Sequence, residues 1–120
     1  MLYPKLSKLI LDSAFAVHRS LGPGLLELPY HNALYYELAG NNLQVGYNAP
    51  FNVCYRGHTV GEYFADLLVN GGVILEVKAV STLGAENTAQ LLNYLHISGC
   101  RLGFLLNFAP ERLEFKRLVL

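Results

Sequence analysis

The segment that decides the fold runs from residue 66 to residue 78 and reads DLLVNGGVILEVK. Two apolar stretches flank the turn-forming residues Asn70-Gly71-Gly72, which is the pattern of two antiparallel strands joined by a short loop. Three charges, on Asp66, Glu76 and Lys78, interrupt these strands. Charged groups in apolar strands are costly to bury unless they are paired or bind a metal ion. The segment therefore predicts a β-hairpin and a candidate site on it.

The register of this hairpin decides which charges meet. A three-residue loop pairs Val69 with Val73 and places Asp66 opposite Glu76, with Cβ atoms about 4.5–5.5 Å apart. Two carboxylates at that distance repel each other unless a divalent cation lies between them, and Mg²⁺ favours one or two carboxylates completed by water and phosphate oxygens. Lys78 shares a face with Glu76 and would orient a water or stabilise developing negative charge. The alternative is an ion pair of Lys78 with either carboxylate and no catalytic duty.

The rest of the chain predicts three helices and five strands within one domain of residues 1–120. Helical spacing indicates a first helix that ends at Gly22-Pro23 and a second that begins near Glu27–Pro29. The later elements are strands over 43–56, 60–69 and 73–80, a helix over 86–98 with Ala89, Leu92 and Leu95 inward, and strands over 101–108 and 113–119. The order α-α-β-β-β-α-β-β predicts an α/β (mixed α+β) fold, a mixed sheet flanked by helices.

Composition narrows the function classes. Hydrophobic residues make up 52% of the chain and charged residues 15%, which predicts that a partner chain covers some apolar surface, as in a homodimer. The formal net charge is zero, and the absence of a strongly basic patch argues against tight non-specific DNA binding. Cys54 and Cys100 lack metal-ligand spacing and are predicted to be buried free thiols. With no membrane span and no convincing signal peptide in the sequence, we expect a reducing cytoplasm.

Several short motifs together resemble one known family. Residues 24–30, GLLELPY, fit a GxxExxY signature, and residues 90–94, QLLNY, follow the Glu76-Val77-Lys78 triplet. With Asp66, the chain resembles the GxxExxY family, which is assigned to the PD-(D/E)XK nuclease superfamily with its restriction-endonuclease-like fold. The similarity runs from about His18 to Val119.

The resemblance implies a role for each matching residue. Asp66 and Glu76 match the metal-binding acidic positions, Lys78 matches the catalytic lysine, and Glu27 matches a helix glutamate that contributes to the metal site in many such nucleases. Gln90 and Tyr94 lie one helical turn apart and resemble a QxxxY feature beside the active site. The implied cofactor is Mg²⁺ or Mn²⁺, and the implied partner is DNA or RNA.

Some of these positions have a simpler interpretation or depart from the pattern. The backbone dipole favours a carboxylate such as Glu27 in a first helical turn, and amphipathic packing alone would explain Tyr94. Asn87 stands where family members often carry histidine, so a base or phosphate contact is lost, and Pro29 stands where a better helix former is usual. The four histidines are predicted to have surface or capping roles because they lack metal-ligand spacing; they are His18, His31, His58 and His96.

The leading hypothesis is a metal-dependent nuclease that hydrolyses phosphodiester bonds of nucleic acid, with Asp66, Glu76 and Lys78 as its catalytic residues. Two alternatives remain open. One is a non-catalytic module that keeps the nuclease fold and acts through dimerisation or partner binding. The other is a hydrolase of small nucleotides or phosphoanhydrides, which the neutral net charge permits.

Overall fold

The computed structural model describes residues 2–120, and its element order is the one the sequence predicts. Boundaries shift by a few residues only, as at β3, which ends at Lys78 and not at Val80. The elements are α1 (Pro4–Leu21), α2 (Glu27–Gly40), β1 (Val45–Tyr55), β2 (His58–Val69), β3 (Val73–Lys78), α3 (Ala85–Ser98), β4 (Leu102–Phe108) and β5 (Leu113–Val119).

The five strands form one mixed sheet in the order β1-β2-β3-β4-β5. Strands joined by short turns pair antiparallel, whereas β3 and β4 pair parallel because α3 crosses between them. The hairpin register has Val69 opposite Val73 and Leu67 opposite Leu75, which confirms the three-residue loop. The predicted mixed sheet flanked by helices is confirmed.

The helices cover both faces of the sheet. On one face α1 and α2 pack with Leu75 and Val77 of β3, and on the other α3 packs with Ile74. β3 and β4 are buried along almost their whole length, as strands covered on both faces are. Glu76 and Lys78 alternate with Leu75 and Val77, so they share the α3 face with Ile74.

The inner face of α3 differs from the prediction. Ala89 is exposed and Leu92 is half-buried, so the expectation that both point inward is wrong for Ala89. Leu95 is fully buried, as predicted, and Leu91 is fully buried where the prediction had Ala89. Gly103 on β4 makes room for this packing, because a Cβ there would lie 2.9 Å from Leu91 Cδ1. The close approach brings the N-terminal half of α3 beside the end of β3.

No helix within residues 2–120 is long and apolar enough to cross a bilayer.

Candidate active site

Asp66 and Glu76 each bond the backbone of the other's strand. The N–H of Asp66 donates to Glu76 Oε2 at 2.8 Å, and the N–H of Val77 donates to Asp66 Oδ2 at 2.8 Å. Ladder pairing between β2 and β3 stops one position earlier, at Leu67 and Leu75. Side-chain carboxylates thus take the place of backbone acceptors where the strands part. Both acids are held by hydrogen bonds that require no cation.

The backbone of Asp66 also leaves the ladder on its β1 side. Its expected partner, Asn48, has a left-handed φ of 48° and is the one residue missing from the pairing of residues 45–53 with β2. The Asp66 carbonyl oxygen instead lies 2.9 Å from His31 Nε2. A carbonyl oxygen only accepts, so this nitrogen is the donor and carries the proton. His31 is buried and stacks on Tyr47 with ring centroids 4.4 Å apart.

Burial dominates the electrostatics of Glu76. Its side chain is almost completely buried, and desolvation, followed by the charge of Asp66, raises its pKa to about 8. The hydrogen bond from the Asp66 backbone and the charge of Lys78 act in the opposite direction but are weaker. A carboxyl with this pKa holds a proton near neutral pH unless another cation replaces it.

Lys78 takes part in a hydrogen-bond chain and not in an ion pair. Its Nζ donates to Gln90 Oε1 at 3.3 Å, and Gln90 Nε2 donates to the Tyr94 hydroxyl at 3.3 Å. Across residues 2–120 the one salt bridge joins Lys8 to Asp12, so the ion-pair alternative for Lys78 is wrong. The lysine charge is left available for a ligand.

Gln90 and Tyr94 lie beside Lys78 for different reasons. Gln90 is exposed, so packing does not explain its position. Tyr94 is half-buried and meets the Tyr63 ring edge to face at 6.1 Å. Partial burial, and then the charge of Glu76, raises the Tyr94 pKa. Tyr94 therefore has both a packing role and a place beside the acidic pair.

Glu27 is the first residue of α2 and is exposed. Partial burial raises its pKa, while the positive charge of Lys78 opposes that shift and the negative charge of Asp66 adds to it. These interactions place Glu27 in the same electrostatic neighbourhood as the acidic pair. Within the described part of the chain, however, no three His, Cys, Asp or Glu side chains are close enough to form a metal-binding group. A direct metal contact of Glu27 stays a prediction.

Tyr30 fixes the loop from which Glu27 emerges. Its fully buried hydroxyl donates to the Gly22 carbonyl at 2.6 Å and accepts the Leu25 N–H at 3.2 Å. Pro29 occupies the first turn of α2, where its missing N–H costs nothing, and the helix begins at Glu27 as predicted. The spacing from glycine through glutamate to tyrosine thus has a structural basis in this loop.

A comparison with known families identifies the superfamily of this chain. The family profile of the PD-(D/E)XK nuclease superfamily matches residues 4–118. The chain belongs to the PD-(D/E)XK nuclease superfamily. Its three helices and five-stranded mixed sheet are consistent with the restriction-endonuclease-like fold of that superfamily. No curated protein sequence matches the chain.

Two solved structures resemble this superfamily member. The crystal structure of SSO0001 has a TM-score of 0.61 and 19% identity over 74% of this chain and 47% of its own. An alkaline exonuclease (LHK-Exo) from Laribacter hongkongensis has a TM-score of 0.45 and 11% identity, over 76% of this chain and 53% of its own. The chain thus spans about half the length of these two structures, and the likeness to SSO0001 supports the fold alone.

Members of this superfamily generally use divalent metal ions, and the donor chemistry of this site fits one. Each carboxylate of Asp66 and Glu76 accepts a backbone hydrogen bond through one oxygen. Within residues 2–120 the second oxygen of each has no hydrogen-bond donor. Two hard oxygen ligands completed by water and substrate oxygens suit Mg²⁺, which usually binds through one or two carboxylates.

Sequence reasoning missed two residues that build the site. His31 is buried, so the predicted surface or capping role is wrong for it, although His58 and His96 are exposed. Asn107 of β4 is also fully buried, and its amide bonds both the N–H and the carbonyl of Val80 at 2.9 Å. A polar residue inside an apolar strand was the available signal for Asn107, the same signal that identified Asp66.

Asn87 has a structural explanation. It is the third residue of α3, where its Oδ1 accepts the Gly84 N–H at 2.9 Å and its own N–H donates to the Gly84 carbonyl at 3.1 Å. Asn87, at the position where histidine was expected, therefore caps the N-terminus of α3, the helix that carries Gln90.

Proposed function

We propose that this protein is a metal-dependent nuclease that hydrolyses phosphodiester bonds of DNA or RNA. The observation that supports it best is the reciprocal bonding of Asp66 and Glu76, in which each carboxylate accepts from the backbone of the other's strand. Lys78 lies beside them, bonded to Gln90 and, within residues 2–120, in no ion pair. Leaving such acids close together in a largely buried place costs stability, and enzymes accept that cost at functional sites. Membership of a nuclease superfamily indicates the class of substrate.

Each residue has a task in this proposal. Asp66 and Glu76 bind Mg²⁺ or Mn²⁺, which when bound supplies Lewis-acid stabilisation and a more acidic water. Lys78 orients the attacking water and stabilises the charge that develops on the phosphate, while Gln90 holds its ammonium group in place. Tyr94 and Gln90 contact the nucleic acid at the edge of the site. Glu27 joins the metal site directly or through water.

The test is nuclease activity against single-stranded DNA, duplex DNA and RNA, with Mg²⁺, with Mn²⁺ and with EDTA. We expect metal-dependent cleavage that falls about 100-fold or more in Glu76→Gln and in Lys78→Ala, as when a charge-stabilising group is removed. Glu62→Gln on β2 and Lys116→Gln on β5 are matched controls because both side chains are exposed. Unchanged cleavage in Glu76→Gln or in Lys78→Ala would contradict the proposal.

A second candidate function, the non-catalytic interaction module, draws on exposed apolar side chains near the site. Leu26 and Leu28 flank Glu27 with 84% and 58% of their surface exposed. On β2, Val60 and Phe64 have 60% and 55% of their surface exposed. Surfaces of this kind bind partners, and a homodimer through β2 would cover them. This function would be favoured if the protein fails to bind metal at about millimolar Mg²⁺ and forms a stable dimer in light scattering. A monomer in light scattering would contradict the proposed homodimer.

The choice of substrate distinguishes a nuclease from the alternative, a hydrolase of small nucleotides. A nuclease cleaves an oligonucleotide but leaves nucleoside triphosphates intact, whereas a phosphohydrolase does the reverse. The GxxExxY assignment belongs to the same proposal. Glu27 begins α2, Tyr30 bonds the loop before it, and Gly24 has a positive φ of 94° in that loop.

The cysteines suit the reducing cytoplasm that we propose as the setting. Both are free, as predicted, but Cys54 is exposed and Cys100 is half-buried, so the expectation of burial is wrong for Cys54. An exposed free thiol persists where disulfides are kept reduced.

A further inference from the structure

The two edges of the sheet differ in how they are protected from pairing with another chain. Strand β1 forms one edge and is interrupted by the left-handed Asn48, by Pro50 and by a register shift after Val53. Proline and irregular backbone hinder an edge strand from accepting a further strand. Strand β5 forms the other edge and pairs with β4 at all seven of its residues. It contains no proline and no residue with positive φ, so this edge is open to pairing.

The backbone of β5 has hydrogen-bonding groups that point away from the sheet. The N–H of Leu120 donates to the Arg101 carbonyl at 2.9 Å, which fixes the alternation of bonds in the antiparallel ladder between β4 and β5. By this alternation, the N–H and carbonyl groups of Phe115, Arg117 and Val119 point away from β4. Within residues 2–120 no other segment forms a backbone hydrogen bond with them. A further strand at this edge would satisfy these groups.

The charged side chains of β5 are self-complementary about Phe115. Glu114 and Lys116 lie on the α3 face of the sheet, and among residues 2–120 neither forms an ion pair. Asn107 donates to Glu114 Oε1 at 2.9 Å and so orients the carboxylate, while Lys116 is exposed. In an antiparallel pair of two β5 strands centred on Phe115, Glu114 lies directly opposite the partner's Lys116 on each side of the centre. Opposite charges at directly opposed positions stabilise a strand pair.

Other registers place like charges opposite each other. A pair centred on Glu114, on Lys116 or on Arg117 would oppose that residue with its own copy, which is destabilising. The register centred on Phe115 instead opposes two phenylalanine side chains that are 44% exposed. Phe15 of α1 meets each Phe115 ring edge to face at 6.4 Å, which enlarges the apolar surface at the centre. Charge and aromatic contact thus select the same register.

We propose that the β5 edge binds a second copy of the chain, as a two-fold antiparallel pair of β5 strands centred on Phe115. The two sheets then become one, and the two-fold axis is perpendicular to it. The α3 faces of both copies, which carry the candidate active sites, therefore lie on the same side. No residue of this interface belongs to the candidate active site, so the proposal is independent of nuclease activity. The interface is also separate from the exposed apolar side chains of β2.

Exchange of the charges across the interface tests the proposal, with sedimentation velocity over a range of protein concentrations as the measurement. The unmutated protein should form dimers. Glu114→Lys and Lys116→Glu should each weaken dimerisation about tenfold or more, because like charges are then opposed on both sides of Phe115. An equimolar mixture of these two variants should restore dimerisation, since each opposed pair of a heterodimer again joins a lysine to a glutamate. Glu62→Lys, exposed on β2, is the control and should leave dimerisation unchanged.

Four results would overturn the proposal. They are a monomeric unmutated protein, undiminished dimerisation of Lys116→Glu, a mixture of the two folded variants that stays monomeric, and loss of the dimer in Glu62→Lys, which would place the interface at β2. Glu114→Lys also loses the hydrogen bond from Asn107. If this variant fails to fold, the comparison of Lys116→Glu with Lys116→Gln keeps the test decisive. Lys116→Gln removes an attraction without adding a repulsion, so it should weaken dimerisation less, and equal weakening would also overturn the proposal.

Discussion

The imidazole Nε2 of His31 lies 2.9 Å from the backbone oxygen of Asp66 and donates a hydrogen bond to it. This bond joins α2 to β2 at the residue whose carboxylate faces Glu76. The neighbouring strand offers no regular ladder partner there, because Asn48 opposite has a left-handed backbone. Helix α2 thereby sets the position of an acidic residue that lies 35 positions further along the chain.

His31→Phe tests this relationship. Phenylalanine keeps the stacking on Tyr47 but leaves the Asp66 carbonyl unpaired, so we expect the free energy of unfolding to fall by about 1–3 kcal/mol. Nuclease activity should fall as well, since Asp66 loses its support. Urea denaturation measures the first effect, with His58→Phe on the exposed end of β2 as control. Equal stability of His31→Phe and His58→Phe would mean that the hydrogen bond from His31 to the Asp66 carbonyl does not contribute to stability.

The stability of the metal-free protein should depend on pH through Glu76. Its pKa in the folded state, about 8, lies above the ordinary value of 4.5, so the folded state binds this proton more tightly than the unfolded state does. The contribution is fully present below about pH 4.5 and is lost as the pH rises through about 8. At about 1.4 kcal/mol per pKa unit, the change amounts to a few kcal/mol at most.

The measurement is urea denaturation in EDTA at several pH values across that window. Glu76→Gln should flatten the dependence, whereas Glu62→Gln should leave it unchanged. At the upper end of this pH range, millimolar Mg²⁺ should restore the stability of the unmutated protein, because a ligand that binds the folded state stabilises it. A pH dependence that persists in Glu76→Gln would assign the effect to another group.

Gln90→Ala should separate activity from stability. Gln90 is exposed, so we expect the free energy of unfolding to change by no more than about 0.5 kcal/mol. Cleavage should nevertheless fall about 10-fold to 100-fold, because Lys78 loses the acceptor that positions its ammonium group. Asn93→Ala, also exposed on α3, is the control. Full activity in Gln90→Ala would show that Lys78 needs no tether.

Asn107→Leu should destabilise the protein more than any surface change. The substitution strips the N–H and the carbonyl of Val80 of their partners, and also removes the bond to Glu114 Oε1. Two unpaired backbone groups predict a loss of about 2–4 kcal/mol. Denaturation midpoints measure this loss, with Asn52→Leu on exposed β1 as control. A loss below about 1 kcal/mol would indicate that water replaces the amide.

The sequence by itself determined the element order and the hairpin register. Both follow from local patterns, since side chains alternate along strands and the Asn70-Gly71-Gly72 loop permits one short pairing. The same local geometry predicted that Asp66 and Glu76 face each other and that Gln90 and Tyr94 lie one turn apart. Each carboxylate does reach the backbone of the other's strand, and Gln90 does bond Tyr94. Their roles in metal and substrate binding stay predictions.

Only the tertiary structure decided how the site is supported. Lys78 bonds Gln90 and neither carboxylate, His31 is buried against Asp66, and Tyr30 closes the loop before Glu27. The first two contacts join separate elements, whose docking depends on burying apolar faces against the sheet and not on any local pattern.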